Sequence, residues 1–220
     1  MKIKGLLLFA ACLLMACGRE SKDAGRADKV YSVAVRHLSA QLEAIPEPTA
    51  YPRTIGKDGK LKVTKKKDWT EGFYPGCLWY IYEYTHKDKW KEAAIKWTEA
   101  LEPLKKLKSH HDIGFLMYCS FGNAYRLTGN EEYKDILVES ARSLCTRFSD
   151  KTGCIKSWNY RKAWNGKDEW FFPVIIDNMM NLELLYFATK VTGDSIYAQI
   201  ANRHAETTAK NQFREDYSNY

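Results

Sequence analysis

The sequence lacks several features that would assign it to a common functional class. Beyond the first twenty residues it has no apolar run long enough to cross a membrane, no glycine-rich phosphate loop and no Gly-x-Ser-x-Gly motif. It has no cysteine or histidine spacing typical of a metal site, so we expect neither a metal nor a cofactor. The net charge of +7 is modest, and without a nucleic-acid-binding motif it does not indicate DNA or RNA as a partner.

The first residues are typical of a bacterial lipoprotein signal. Lys2 and Lys4 precede an apolar stretch that ends in the cleavage box Leu14-Met15-Ala16-Cys17, in which the Cys17 thiol would accept the lipid. We therefore predict an exported protein of the cell envelope that is held to the membrane by its lipid alone. The predicted divisions are a signal peptide over 1–16, a polar tether over 17–27 and one folded domain over 28–220.

Four cysteines lie in the predicted domain. Cys77 and Cys119 stand in apolar runs, where a buried free thiol is expected. Cys145 and Cys154 are close enough in sequence to pair in an oxidising compartment, and the sequence leaves that pairing open.

Three stretches of the chain follow one plan, which indicates an internal repeat. Each begins at an aspartate, continues as an apolar run and ends at a threonine, after which a polar, helix-like segment begins. The stretches run from Asp68 to Thr85, from Asp112 to Thr128 and from Asp177 to Thr192. The plan predicts three helical hairpins whose aspartates lie at the same end of neighbouring helices.

The periodicity predicts apolar helices buried all round, alternating with half-exposed amphipathic ones. That alternation is typical of concentric rings, so we predict an all-α fold, an α/α6 toroid of which this chain holds about half. The predicted apolar helices span 70–85, 112–128 and 173–190, and the amphipathic ones span 28–45, 88–108, 131–148 and 194–213. We expect loops at 46–67 and 149–172, with no strand beyond short loop segments such as 154–157.

The three aspartates have two interpretations. Aspartate is a preferred N-cap residue, so each could simply cap its helix. Three carboxylates in apolar or aromatic surroundings could instead form an acid–base site, in which burial raises one pKa while the helix N-terminus lowers it. Asp177 follows an apolar run and is the strongest candidate, and His111 is the histidine more able to join Asp112 there. The many aromatic residues could fill the core, stack on sugars, or do both.

The motifs DWTEGFYPGCLWYIYEYT, HHDIGFLMYCSFGNAYRLTG and VIIDNMMNLELLYFA resemble glycoside hydrolase family 88, the unsaturated glucuronyl hydrolases. The resemblance runs from about residue 28 to the last residue and implies an α/α6 barrel. Family members remove the unsaturated uronic acid that polysaccharide lyases leave on oligosaccharides, and they do so by hydrating its C4=C5 vinyl ether. They are about twice as long as this chain, and further site residues lie in the part without a counterpart here.

The resemblance also implies roles for individual residues. Asp177 corresponds to the general acid/base and Asp112 to the second essential aspartate, which holds sugar hydroxyls. His111 corresponds to a neighbouring site histidine, and Trp69 and Trp158 to aromatic residues of the substrate platform. Asp68 is left with the capping role.

Two alternatives to this function stay open from the sequence. One is an unsaturated rhamnogalacturonyl hydrolase on the same fold. The other is a lipoprotein that binds glycans without turnover, for which Asp177→Asn would bind as well as the parent.

Overall fold

The computed structural model describes residues 25–64 and 67–220. The predicted signal peptide and Cys17 therefore lie outside the described residues, as does most of the predicted tether. The described chain falls into two compact units, which divide between Pro46 and Glu47. The first contains helix α1, over 25–44, close to the predicted 28–45. No helix in the described ranges has both the length and the apolar character that a membrane crossing requires.

The second unit is built from three helical hairpins, as the repeat predicts. The first pairs α2 with α3, the second pairs the continuous helix α4–α5 with α6, and the third pairs α7 with α8. The helices are α2 Phe73–Thr85, α3 Asp88–Glu99, α4 Ile113–Met117, α5 Asn123–Thr128, α6 Glu131–Cys145, α7 Leu182–Thr192 and α8 Ile196–Gln212. A π-helical turn, Tyr118–Gly122, joins α4 to α5, and a 3-10 turn, Glu102–Lys106, follows α3.

The three hairpins also share the way their first helix ends. In each, the hydroxyl of the final threonine donates to the carbonyl oxygen four residues earlier at a distance of 2.7 Å, as seen at Thr85, Thr128 and Thr192. The residue after each threonine turns into the left-handed region, with φ of 52° to 75° at His86, Gly129 and Gly193. Such a residue ends a helix and lets the chain reverse. The repeat seen in the sequence is therefore a repeat of three-dimensional structure.

Close backbone approach joins the first two hairpins. A Cβ at Gly72 would lie 2.1 Å from the carbonyl oxygen of Leu116, and one at Gly76 would lie 2.9 Å from that of Cys119. The start of α2 therefore packs against α4 at a distance that only glycine allows. Three tryptophans fill the space between α2 and α3, and none is more than 1% exposed: Trp79, Trp90 and Trp97. These three rings therefore fill the core, which is one of the two roles predicted for the aromatic residues.

The prediction that the apolar helices are buried all round is wrong for α2. Cys77, Tyr80 and Tyr84 are exposed and lie along one stripe of that helix. Cys77 and Tyr80 of this stripe, together with side chains of α5 and α7, line an open groove of about 500 Å³, which we call the inner groove. Cys77 is thus not the buried thiol expected from its apolar neighbours.

Other local predictions also need correction. The segment 46–67 is not all loop, because β1 Tyr51–Ile55 and β2 Leu61–Thr64 pair as an antiparallel hairpin. Residues Ile176–Asn181 form a 3-10 helix before α7, where a longer α-helix is predicted. By contrast, the short two-stranded ladders of the 149–172 region are of the kind expected in short loop segments: β3 Phe148–Ser149 pairs with β4 Cys154–Ile155, and β5 Arg161–Lys162 pairs with β6 Glu169–Trp170. The pairing of Cys145 with Cys154, which the sequence left open, is not formed in the structure, where both are free thiols.

Candidate active site

The three repeated aspartates differ in what their side chains do. Asp68 accepts from the backbone N–H of Thr70 at 2.9 Å and so stabilises the turn before α2. Asp112 stands at the N-cap position of α4, yet its side chain makes no capping hydrogen bond. Asp177 lies in the first turn of the Ile176–Asn181 helix, whose start also has no side-chain cap. Asp68 therefore has a structural function, while the other two carboxylates are available for other contacts.

Asp112 lies beside two histidines, and one of them also lies beside Asp177. We name these four residues the mouth cluster: His110, His111, Asp112 and Asp177. His110 Nδ1 lies 2.9 Å from Asp112 Oδ2, and His111 Nε2 lies 3.1 Å from Asp112 Oδ1. His111 Nε2 also lies 3.8 Å from Asp177 Oδ1. His111 is fully buried and Asp112 is 8% exposed, whereas Asp177 keeps partial access to solvent. Asp177 thus forms one compact polar group with three consecutive residues that lie 65 or more positions earlier in the sequence.

Burial is the largest influence on the pKa values of Asp177 and His111. Desolvation raises the pKa of Asp177, and the Asp112 carboxylate raises it further. His111 and the backbone N–H groups of Asp177 and Asn178 lower that pKa, but burial outweighs them. Desolvation also lowers the pKa of His111, although the neighbouring carboxylates oppose that shift. At neutral pH, His111 is therefore neutral and Asp177 takes up a proton more readily than an ordinary aspartate.

Two buried asparagines support the cluster, and neither is among the predicted site residues. Asn181 Nδ2 lies 3.2 Å from His111 Nδ1 and donates to Asn178 Oδ1 at 2.9 Å. Asn178 Nδ2 donates to the carbonyl oxygen of Ile155 at 2.6 Å. Both asparagines are fully buried. The sequence contains a signal for them, because amides in the apolar stretch DNMMN must find internal hydrogen bonds if they are buried.

Aromatic residues stand on two sides of the cluster. The ring of Trp158 meets that of His111 edge to face, with centroids 5.9 Å apart. Trp69 is 44% exposed and packs edge-on against Phe115, three residues beyond Asp112. Each tryptophan also carries an arginine over its face, Arg161 at 5.1 Å from the Trp158 ring and Arg53 at 5.0 Å from the Trp69 ring. The structure thus brings Trp158 to the mouth cluster directly, whereas Trp69 contacts α4 at Phe115.

A buried arginine holds the loop that carries Trp158. Arg147 is 4% exposed, and its guanidinium donates to the carbonyl oxygens of Lys156, Ser157 and Lys108. The carbonyl oxygen of Ser157 also accepts the backbone N–H of His111 at 3.0 Å. Arg147 therefore positions the backbone on which His111 and Trp158 meet. The sequence gives no sign of this role, because it places Arg147 inside the predicted amphipathic helix 131–148, whereas the structure places it in the turn after α6.

Within the described ranges, three side chains of the mouth cluster also lie close enough together to bind one small cation. One donor atom from each of His111, Asp112 and Asp177 lies within 4.8 Å of the other two. No cysteine joins the group, and no spacing in the sequence predicts it.

Comparisons with known proteins agree with the resemblance inferred from the motifs. An unsaturated glucuronyl hydrolase of Formosa agariphila is 52% identical over 153 residues, which are 69% of this chain and 37% of that protein. An unsaturated chondroitin disaccharide hydrolase of Streptococcus pneumoniae is 33% identical over 205 residues, 90% of this chain and 48% of that protein. No family model matches the chain.

Solved structures give the same result for the fold. The crystal structure of an unsaturated glucuronyl hydrolase specific for heparin superposes with a TM-score of 0.80 at 42% identity, covering 87% of this chain and 50% of that one. The unsaturated glucuronyl hydrolase of Streptococcus agalactiae gives a TM-score of 0.77 at 30% identity, covering 88% and 48%. The chain spans about half the length of the relatives that it matches.

The fold is therefore that of the α/α toroid hydrolases, with about half of the ring in this chain. Within that class, the chain belongs by sequence and by fold with the unsaturated glucuronyl hydrolases, as its motifs predict.

Proposed function

We propose that this chain carries the acid–base part of an active site that removes unsaturated uronic acid from lyase-generated oligosaccharides. The observation that supports this most is the mouth cluster, in which burial raises the pKa of Asp177 beside a second carboxylate and a neutral histidine. A group that gives and then regains a proton near neutral pH needs a pKa shifted in this direction.

The chemistry requires one residue to serve twice. Asp177 in its acid form donates a proton to C4 of the unsaturated sugar, which leaves positive charge at C5 and the ring oxygen. Water adds at C5 and returns a proton to the Asp177 carboxylate. The resulting hemiketal opens at its C5–oxygen bond, and the hemiacetal left at C1 releases the alcohol of the glycosidic bond. The usual link between carboxylate spacing and anomeric outcome does not apply, because C1 is not attacked.

Other residues of the site would hold the sugar. Asp112 is in position to accept hydrogen bonds from sugar hydroxyls, and His111 stands between the two carboxylates. Trp158 and the exposed Trp69 offer faces on which a sugar ring stacks. The substrate we propose is the class that the relatives' names describe, an unsaturated disaccharide or short oligosaccharide. Since those names mention both heparin and chondroitin, substrates of both origins belong in the assay.

The test is turnover by a chimaera in which residues 25–220 precede the C-terminal half of a full-length relative. Hydration consumes the C4=C5 bond, so its ultraviolet absorbance falls as the reaction proceeds. We expect loss of absorbance with the unsaturated disaccharide and no cleavage of the saturated disaccharide with the same linkage. Cleavage of both at similar rates would contradict hydration. Binding without turnover would instead favour a glycan-binding protein.

We also propose export and lipid attachment at Cys17, on the strength of the charged start, apolar stretch and cleavage box. Mass spectrometry of the protein expressed with its own N-terminus in a bacterium is expected to find a lipid-modified Cys17 at the mature end. A Cys17→Ser variant is expected to leave the membrane fraction. An unmodified Cys17 in the membrane-extracted protein would refute this proposal without affecting the enzymatic one.

A further inference from the structure

Asn181 lies opposite His111, and the backbone fixes the orientation of its side-chain amide. Its Oδ1 accepts the backbone N–H of Phe115 at 2.9 Å. Because a backbone N–H can only donate, the oxygen of the amide must stand at that position and the nitrogen on the other side. Gly114 makes room for this arrangement, since a Cβ there would lie 2.3 Å from Asn181 Oδ1.

The nitrogen of this amide has two hydrogens and two acceptors. Asn178 Oδ1 takes one at 2.9 Å, and it is itself fixed as an acceptor because Asn178 Nδ2 donates to the carbonyl oxygen of Ile155. The second hydrogen points to Nδ1 of His111, 3.2 Å away. A backbone donor at one end and a backbone acceptor at the other thus orient both amides. Nδ1 of His111 then has to be the acceptor.

We propose that Asn181 is a positioning residue that holds neutral His111 in the tautomer with its proton on Nε2. That proton faces Asp112 Oδ1 at 3.1 Å and Asp177 Oδ1 at 3.8 Å. Among the described residues this Nε2 has no hydrogen-bond partner of suitable geometry, so its proton is a donor available at the mouth cluster, and Asp177 remains the group that accepts a proton. This consequence for catalysis rests on the proposed function, whereas the tautomer itself does not. A nitrogen that carries a proton is also unable to bind a cation.

Several groups around His111 influence its charge, and they do not all act in one direction. Asp112, Asp177 and the side chain of Asn178 favour the imidazolium, while burial and the nearby His110 oppose it. His204 also faces His111 from α8. Burial is the largest of these effects, so the neutral form on which a tautomer depends prevails.

The tautomer is measured directly by ¹⁵N NMR of the histidine rings in the 220-residue chain. The chain has five histidines, and a His111→Gln spectrum identifies the signal of interest. We expect a protonated Nε2 and an unprotonated Nδ1 for His111. His204 is the internal reference, because the backbone N–H of Ile155 donates to its Nδ1 and imposes the same tautomer. A proton on Nδ1 of neutral His111 would overturn the proposal.

Asn181→Asp provides the matched variant. The aspartate keeps an acceptor for the N–H of Phe115 but places a second acceptor against Nδ1, so we expect the His111 proton to move to Nδ1. The negative charge is also expected to raise the His111 titration midpoint by about one pH unit or more. An unchanged His111 spectrum in folded Asn181→Asp would contradict the proposal.

Asn202→Asp is the control for added charge. Its amide oxygen only accepts the hydroxyl of Tyr186, an exposed contact that an aspartate preserves. We expect this variant to leave the His111 spectrum as in the parent, and an equal shift in both variants would overturn the role of Asn181. None of these measurements needs turnover. Absence of hydrolase activity with the expected tautomer would therefore count against the proposed function alone.

Discussion

The mouth cluster lies at the starts of the second and third hairpins, and the inner groove lies along helices of all three, yet the two are completed to different degrees. The buried asparagines that support the mouth cluster find their partners within this chain, as the contacts of Asn181 with Asn178 and of Asn178 with the backbone of Ile155 show. The inner groove leaves Tyr80 50% exposed in a helix that is otherwise largely apolar. Polar contacts at helix ends form between neighbouring hairpins, whereas burial of the inner faces requires the whole ring. The contacts of the candidate site thus depend on neighbouring hairpins alone, whereas burial of the inner faces depends on more of the ring.

The largest effect is expected from a change at the mouth cluster. In the chimaera, Asp177→Asn is expected to lower turnover of the unsaturated disaccharide by about 10²- to 10⁴-fold, because the amide cannot transfer the proton. Asp68→Asn is the matched control, since it changes the repeat counterpart whose contact with Thr70 an amide can maintain. Absorbance loss measures both rates. Equal losses in the two variants would remove the distinction between the site and a helix cap.

Acidification is expected to lower the stability of the fold through His204 of α8. Its burial lowers the pKa from 6.5 to about 4, so the unfolded chain binds a proton before the folded chain does. The stability is therefore unaffected by His204 above about pH 6.5, and about 3 kcal/mol is lost as the pH falls to about 4. Chemical denaturation at several pH values measures the loss.

His204→Gln is expected to remove this part of the pH dependence, because glutamine can still accept from Ile155 without taking a proton. His37→Gln, at an exposed histidine of α1, is expected to keep the parental slope. A parental slope in His204→Gln would show that acid acts elsewhere.

A smaller loss of stability is expected where α2 meets α4. Gly72→Ala places a methyl group against the backbone of Leu116, which cannot move aside as a side chain would, and we expect a cost of about 1–3 kcal/mol. Gly25→Ala is the control, because a Cβ at Gly25 meets nothing within 4 Å. Thermal denaturation compares them, and equal melting temperatures would contradict the close packing of the inner helices.

The inner groove itself is tested by thiol labelling. Cys77 is exposed there, whereas Cys154 is buried at 6% exposure. We expect Cys77 to react with a thiol reagent about tenfold faster or more in the 220-residue chain, since Cys154 has to wait for local opening. Single-cysteine variants followed by mass spectrometry provide the rates. Equal labelling would show that the groove is covered.

The repeat made the scaffold predictable from the sequence. Apolar runs ending in threonine at Thr85, Thr128 and Thr192 predict helices that end there, and each hydroxyl does bond to the preceding turn. The exposed stripe of α2 was harder to predict, because an apolar helix shows the same sequence whether its last face is covered by this chain or by further helices. The β1–β2 hairpin was missed in a stretch whose lysines and glycines are typical of loops.

The proximity of the candidate site residues was predictable from the sequence, but their pKa shifts were not. The motifs predict Asp112, Asp177 and His111 as site residues, and the structure brings these three side chains together. The sequence could not decide between burial and the helix N-terminus at Asp177, because the two effects oppose each other and depend on distances. Asn181 was missed for a related reason, since its partners Phe115 and His111 are 66 and 70 residues away.

Titration of the Asp177 carboxyl by ¹³C NMR in the 220-residue chain tests most directly whether the mouth cluster is an acid–base site. Desolvation and the Asp112 carboxylate are expected to place its midpoint above the ordinary aspartate value of about 3.9. An Asp112→Asn variant is expected to lower that midpoint, because one of the two effects that raise it is removed. A midpoint at or below the ordinary value in the parent would contradict the account, since Asp177 would then be a plain surface carboxylate.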